Sequence, residues 1–137
     1  MQLKLRHINL CTTNVEAMDD FYRNVMDMKS FPGMSSIRDE SPDGYRGKVS
    51  FIHDGTTQMH LAEKDFGAAF RTKTSVNPLE RGHIAFRTDD ITAFKKRLEE
   101  RGIPYADYGA WAIQGWQQIF FYDPDGNIIE VHQASQM

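Results

Sequence analysis

The chain has 137 residues, the length of one ordinary domain and enough to bury a core. Its 40% hydrophobic and 26% charged residues lie in the globular range, which excludes a disordered, collagenous or coiled-coil chain. Sixteen basic against nineteen acidic residues leave a net charge of −3, so bulk electrostatics argue against nucleic acid or anionic lipid as a partner.

The first fourteen residues alternate as a strand with charges in it, not as a signal peptide. No stretch approaches the roughly 18 apolar residues a membrane span needs. The single cysteine, Cys11, excludes an internal disulfide framework and suits a reducing compartment, so a cytoplasmic location is expected. After the strand, Asn14 offers a short side-chain oxygen to cap a helix. Met18, Phe21, Tyr22, Val25 and Met26 recur at helical spacing behind it. Strands are expected over about 31–38 and 47–53, and Asp54-Gly55 reads as the turn into a strand carrying His60. Residues 65–81, mixed in polarity and containing Pro78, read as a linker between two halves.

The second half repeats the first. His83-Ile84-Ala85-Phe86 matches His7-Ile8-Asn9-Leu10 at an offset of 76, and Thr88, Asp90, Ile91 and Ala93 match Thr12, Asn14, Val15 and Ala17. Asp90 is the second N-cap. Ile91, Phe94 and Leu98 form the helical stripe, and Gly102 is the stop. Strands follow at about 106–109 and 116–122. Phe120-Phe121-Tyr122-Asp123-Pro124 echoes Phe51-Ile52-His53-Asp54-Gly55, and Asp123-Pro124-Asp125-Gly126 is a turn into a last strand carrying Glu130. The chain therefore reads as α+β, two βαβββ modules over about 1–64 and 82–137.

Strands alternate faces with period 2. His7 lies opposite Ile8, His60 sits between Met59 and Leu61, His83 precedes Ile84, and Glu130 sits between Ile129 and Val131. The apolar neighbours need helices to cover them, so the four polar residues must face the other way, into a concavity shared by both modules. Three imidazoles and a carboxylate converging there suit a divalent ion: nickel, zinc, cobalt, manganese or iron. Such an ion keeps positions for substrate oxygens and acts on them as a Lewis acid. His132 shares the inward face, as a support for the site, as an acid/base group, or as a cap on the strand end. His53 reads as solvent-facing, and Cys11 as a small buried residue. The aromatic stretch Tyr105, Tyr108, Trp111, Trp116 and Phe121 reads either as a loop over the site or as core and dimer contact, and Arg87, inward by alternation from His83, is the best-placed cation for an anionic group unless it reaches solvent at the strand end.

Three segments carry a family resemblance: His7-Ile8-Asn9-Leu10 with Phe21-Tyr22, Gly82-His83-Ile84-Ala85-Phe86, and the run from Phe120 to Glu130. In these the chain resembles the vicinal oxygen chelate superfamily of glyoxalases, bleomycin-resistance proteins and extradiol dioxygenases. The resemblance implies a curled half-barrel sheet with helices outside, a divalent metal on His7, His60, His83 and Glu130, and a homodimer. The leading expectation is a lyase or isomerase of this superfamily acting on a small substrate through two adjacent oxygens, with Glu130 or His60 moving the proton; from the residues themselves, Tyr105, Trp111 and Trp116 of the aromatic stretch and Arg87 are expected at the substrate. The alternatives are an iron(II) extradiol-type dioxygenase and a non-enzymatic binder of an aromatic molecule. Glyoxalase I carries a carboxylate where His60 stands, so the usual two-glutamate proton shuttle does not transfer.

Overall fold

The computed structural model describes residues 1–31, 38, 44–122 and 127–135. The first module runs β1 (Leu3–Thr12), α1 (Val15–Asn24), β2 (Lys29–Ser30), β3 (Val49–His53) and β4 (Gln58–Glu63). A short helix α2 (Ala68–Thr72) follows. The second module is β5 (His83–Thr88), α3 (Ile91–Glu100), β6 (Ala106–Ala110), β7 (Trp116–Tyr122) and β8 (Ile128–Ala134). All eight strands form one open mixed sheet in the order β2-β3-β4-β1-β5-β8-β7-β6. The order is symmetric about its centre, as a duplicated module requires. β1 and β5 meet antiparallel, and each has the last strand of its own module as a parallel neighbour.

Both helices start where the caps place them. Asn14 Oδ1 accepts from the Ala17 amide at 3.0 Å, and Asp90 Oδ1 accepts from the Ala93 amide at 2.9 Å. Gly102, at φ +67°, takes the left-handed turn that ends α3. In α3 the stripe Ile91, Phe94 and Leu98 is buried with Ile119 and Val131. The stripe of α1 behaves differently. Only Val15 is buried along α1, and Phe21, Val25 and Met26 stay exposed. The helix packs on β3 and β4.

Two further departures from the sequence pattern bear on the site. The segment read as a linker holds α2 and buries Val76, Pro78 and Leu79 against the inner face. Its apolar residues are spaced irregularly because they pack as a strap, not as one face of an element. An unanticipated two-residue strand, β2, pairs Lys29 with His53 and Ser30 with Ile52. Most of the strand expected at 31–38, and the turn at 123–126, lie outside the described residues; Arg38 itself bridges to Ile113.

The seam between β1 and β5 is tight. A Cβ on Gly82 would sit 2.6 Å from the Asn9 carbonyl oxygen, so only glycine lets the strands close there. That closeness aligns the inner face. Pairing runs Phe51–His60–Asn9–His83–Ile128 across one row, and Gln58–His7–Ala85–Glu130–Phe120 across the next. Ala85, fully buried between His7 and Glu130, is small enough to let those two side chains reach each other over it.

Candidate metal centre

His7, His60, His83, Glu130 and His132 are all buried, on β1, β4, β5 and β8. One chain brings them together. Glu130 Oε1 lies 3.0 Å from His83 Nε2 and 3.8 Å from His7 Nε2. Ligand atoms of these three residues all fall within 4.8 Å of one another, the spacing of a shared ion. Two ligands bound cis at bonds of about 2.1 Å stand about 3.0 Å apart in an octahedral set and about 3.4 Å in a tetrahedral one. The observed pair brackets those values.

The tautomer of His83 decides what the triad asks for. Its Nδ1 lies 3.0 Å from the Pro78 carbonyl oxygen, which can only accept, so Nδ1 carries a hydrogen. A neutral His83 then aims the Nε2 lone pair at a carboxylate oxygen 3.0 Å away. Two lone pairs at that distance require a cation between them, a proton or a metal ion. The Pro78 contact also fixes the ring's orientation, as partners of metal-bound histidines do.

His60 is at the cluster but not in the triad. Its ring stacks on His7 with centroids 3.8 Å apart and planes 19° apart. The ligand atoms grouped within 4.8 Å belong to His7, His83 and Glu130 and not to His60. Its Nε2 is buried without a hydrogen-bond partner among the described residues, as is His7 Nδ1. Burial holds His60 near 3, and burial with His60 alongside holds His7 well below the usual imidazole range. Both rings are therefore unprotonated at neutral pH, the form that donates a lone pair. Burial pushes the Glu130 carboxyl up, but His7, the hydrogen bond from His132 and the contact with His83 outweigh it, and the group sits well below its ordinary range.

The cavity in front of the triad holds about 50 Å³ of water-accessible space, room for about three to five waters. Its walls are mostly apolar and aromatic: Phe51, Trp111, Ile113, Trp116 and Phe120, with Tyr45 and Leu79 at one side. Asn9 and Gln118 add polar groups, and Arg38 lines the rim, its Nη2 donating to the Tyr45 and Gly47 carbonyls at 2.9 and 3.0 Å. Trp111 and Trp116 thus lie where the sequence pattern put them. Tyr105 does not: it precedes the first inward residue of β6, packs beside α3, and bonds Glu99 at 2.6 Å, while Tyr108 takes the inner position. Arg87 faces inward but beyond Trp116, where its Nε donates to His132 Nε2 at 3.1 Å, and it does not line the cavity.

Residues 4–131 match the family described as the Glyoxalase/Bleomycin resistance protein/Dioxygenase superfamily. The chain belongs to this superfamily. It is 29% identical over 131 residues to Glyoxylase I 4 of Arabidopsis thaliana, covering 93% of this chain and 68% of that protein. A hypothetical protein from Bacillus halodurans superposes with a TM-score of 0.71 at 21% identity, over 100% of this chain and 98% of that one. Methylmalonyl-CoA epimerase from Mycobacterium tuberculosis gives 0.69 at 16% identity, over 97% and 89%. The Streptomyces coelicolor epimerase with 2-nitronate-propionyl-CoA gives 0.68 at 19%, over 99% and 98%. These structures share the fold. Among the described residues no helix is long and apolar enough to cross a membrane.

Proposed function

We propose that this member of the superfamily is a divalent-metal-dependent enzyme of the lyase or isomerase type. Its substrate would be small and bound through two adjacent oxygens. The observation that carries the reading is the 3.0 Å approach of His83 Nε2 to Glu130 Oε1, with His83 Nδ1 already committed to Pro78. His7, His83 and Glu130 would hold the ion, whose chemistry when bound is to polarise a carbonyl and stabilise the enolate formed next to it.

The chain's own residues divide the remaining work. Glu130 Oε2 is taken by His132 at 2.6 Å, so the carboxylate is tethered and poorly placed to swing out as a base. His60 has the free nitrogen, on the cavity wall, and is unprotonated at neutral pH. It is the group to take a proton from substrate carbon and return it. The aromatic walls exclude water from that exchange and fit a short apolar or planar substrate body.

A second reading has one observation in its favour. Two histidines and one carboxylate also form the set that holds iron(II) in oxygen-activating enzymes. Elemental analysis of protein purified without chelator separates the two readings, paired with turnover of 2-oxoaldehyde–thiol adducts, acyl-CoA epimers and catechols. Nickel, zinc, cobalt or manganese with turnover of either of the first two substrate classes supports the main reading. Oxygen-sensitive iron with catechol cleavage supports the second, and a protein that takes up no metal is the binder. We also propose a homodimer, since Leu3, Leu5 and Ile84 on the outer face of the central strands stay exposed; sedimentation analysis tests it.

A further inference from the structure

Glu130 has two oxygens, and only one is used by the triad. The other, Oε2, lies 2.6 Å from His132 Nδ1. His132 is fully buried, two residues along the same strand and face. Its far nitrogen, Nε2, accepts from Arg87 Nε at 3.1 Å. An arginine Nε always carries its hydrogen, and an ionised carboxylate only accepts. Arg87 at one end and Glu130 at the other therefore leave His132 a single arrangement: hydrogen on Nδ1, lone pair on Nε2.

The ring is also held in plane. Trp116 stacks on it with centroids 4.0 Å apart and planes 10° apart, and the Arg87 guanidinium lies 4.9 Å from the Trp116 ring centre. Arg87, His132 and Trp116 thus make one packed unit behind Glu130. Seen from the cavity, this unit occupies Oε2 and leaves Oε1 facing His7 and His83.

We infer that His132 and Arg87 are positioning residues for the metal centre: Arg87 sets the His132 tautomer, and His132 restrains Glu130 to present one oxygen to the ion. This rests on the metal site proposed above and adds to it a reason why a half-buried arginine and a fifth, fully buried polar residue stand behind the ligands. It also reassigns Arg87, which the sequence pattern offered to an anionic substrate group. Groups that orient ligands in this way typically cost tenfold to a hundredfold in metal affinity when removed.

The test is titration of chelator-stripped protein with Co2+, read by calorimetry and by the visible absorption of the bound ion, which reports its ligand set. His132→Leu removes the donor and should weaken Co2+ binding by about 10- to 100-fold and alter the spectrum. His132→Asn places an amide N–H where Nδ1 stood and should recover most of the affinity. Arg87→Met removes one of the two partners that fix the His132 ring, while Glu130 Oε2 still holds Nδ1, and should fall between them. Trp116→Phe keeps an aromatic slab and should stay within about threefold. A loss in His132→Asn as large as in His132→Leu would reduce His132 to packing and overturn the inference, as would wild-type affinity and spectrum in both His132→Leu and Arg87→Met. If His132→Leu does not fold, Arg87→Met with His132→Asn still decides. Wild-type protein that binds no Co2+ removes the metal site itself, a failure distinct from wild-type binding that the variants retain.

Discussion

Glu130→Gln separates two explanations of the buried cluster that predict different outcomes. In one, the carboxylate is a metal ligand; in the other, it is an ionic lock that the fold needs. Glutamine keeps the shape and removes the charge. Its carbonyl can accept from His132 Nδ1, as Oε2 does now at 2.6 Å. Its amide can donate to the His83 Nε2 lone pair, now 3.0 Å from Oε1. His83 then needs no proton from elsewhere, so no buried charge is stranded. Exchanging one satisfied arrangement for another should change the metal-free stability by about 1 kcal/mol or less, a shift of at most about 4 °C in Tm for a chain of this size. Metal binding should respond oppositely. Wild type in metal at a hundredfold excess over Kd gains about 2.7 kcal/mol, and the variant should gain almost none. The assay is thermal unfolding by circular dichroism, with chelator and then with Ni2+, Zn2+, Co2+ or Mn2+. If the cluster is an obligatory ion pair, deleting one partner costs about 3–5 kcal/mol and the chelated variant melts about 10 °C or more lower. That fall, or an undiminished metal-induced shift in the variant, refutes the reasoning.

Two smaller perturbations test the scaffold. Gly82→Ala forces a Cβ to within 2.6 Å of the Asn9 carbonyl, prying apart the seam one residue from His83. It should cost about 1–3 kcal/mol and reduce the metal-induced rise in Tm, whereas Gly55→Ala, strained at φ +102° but in open space at the turn before β4, should lower the chelated Tm and leave that rise intact. Cys11 tests burial of the inner face. Burial lifts its thiol up to about 11, so the thiolate is scarce below that pH and labelling by a maleimide at pH 8 should be far slower than in unfolded chain. The folded value lies above the unfolded one, so the contribution to stability is full below about 9 and is lost as the pH climbs toward 11. Urea unfolding at pH 8 and at pH 10.5 should show a steeper loss for wild type than for Cys11→Ala, and equal losses would contradict the assignment.

Much of the fold was legible because it is written twice. Asn14 and Asp90 each cap a helix after an alternating strand, and the duplicated order of elements fixes the symmetric sheet. What pattern could not supply was contact made by a single copy. Phe21, Val25 and Met26 keep helical spacing, yet they stay exposed and only Val15 is buried along α1. Val76, Pro78 and Leu79 follow no period, yet they are buried, because a strap over a concave face is fixed by shape and not by repeat.

The same division runs through the site. Alternation puts His7, His60, His83, Glu130 and His132 on one face, and it can say no more than that. Which atoms meet depends on rows: His7 and Glu130 share one across Ala85, while His60 and His83 share the next across Asn9. It depends next on partners that set each ring. Pro78 turns His83 so that Nε2 meets Glu130, and its carbonyl is a backbone group no side-chain pattern reveals. His7 stacks on His60, whose Nε2 is left without a hydrogen-bond partner among the described residues. A four-ligand set equivalent by repeat thus becomes three atoms around one point and a fourth nitrogen free beside them. In the proposed reaction, that asymmetry would leave His60 to act on a substrate bound at the ion that the other three residues would hold.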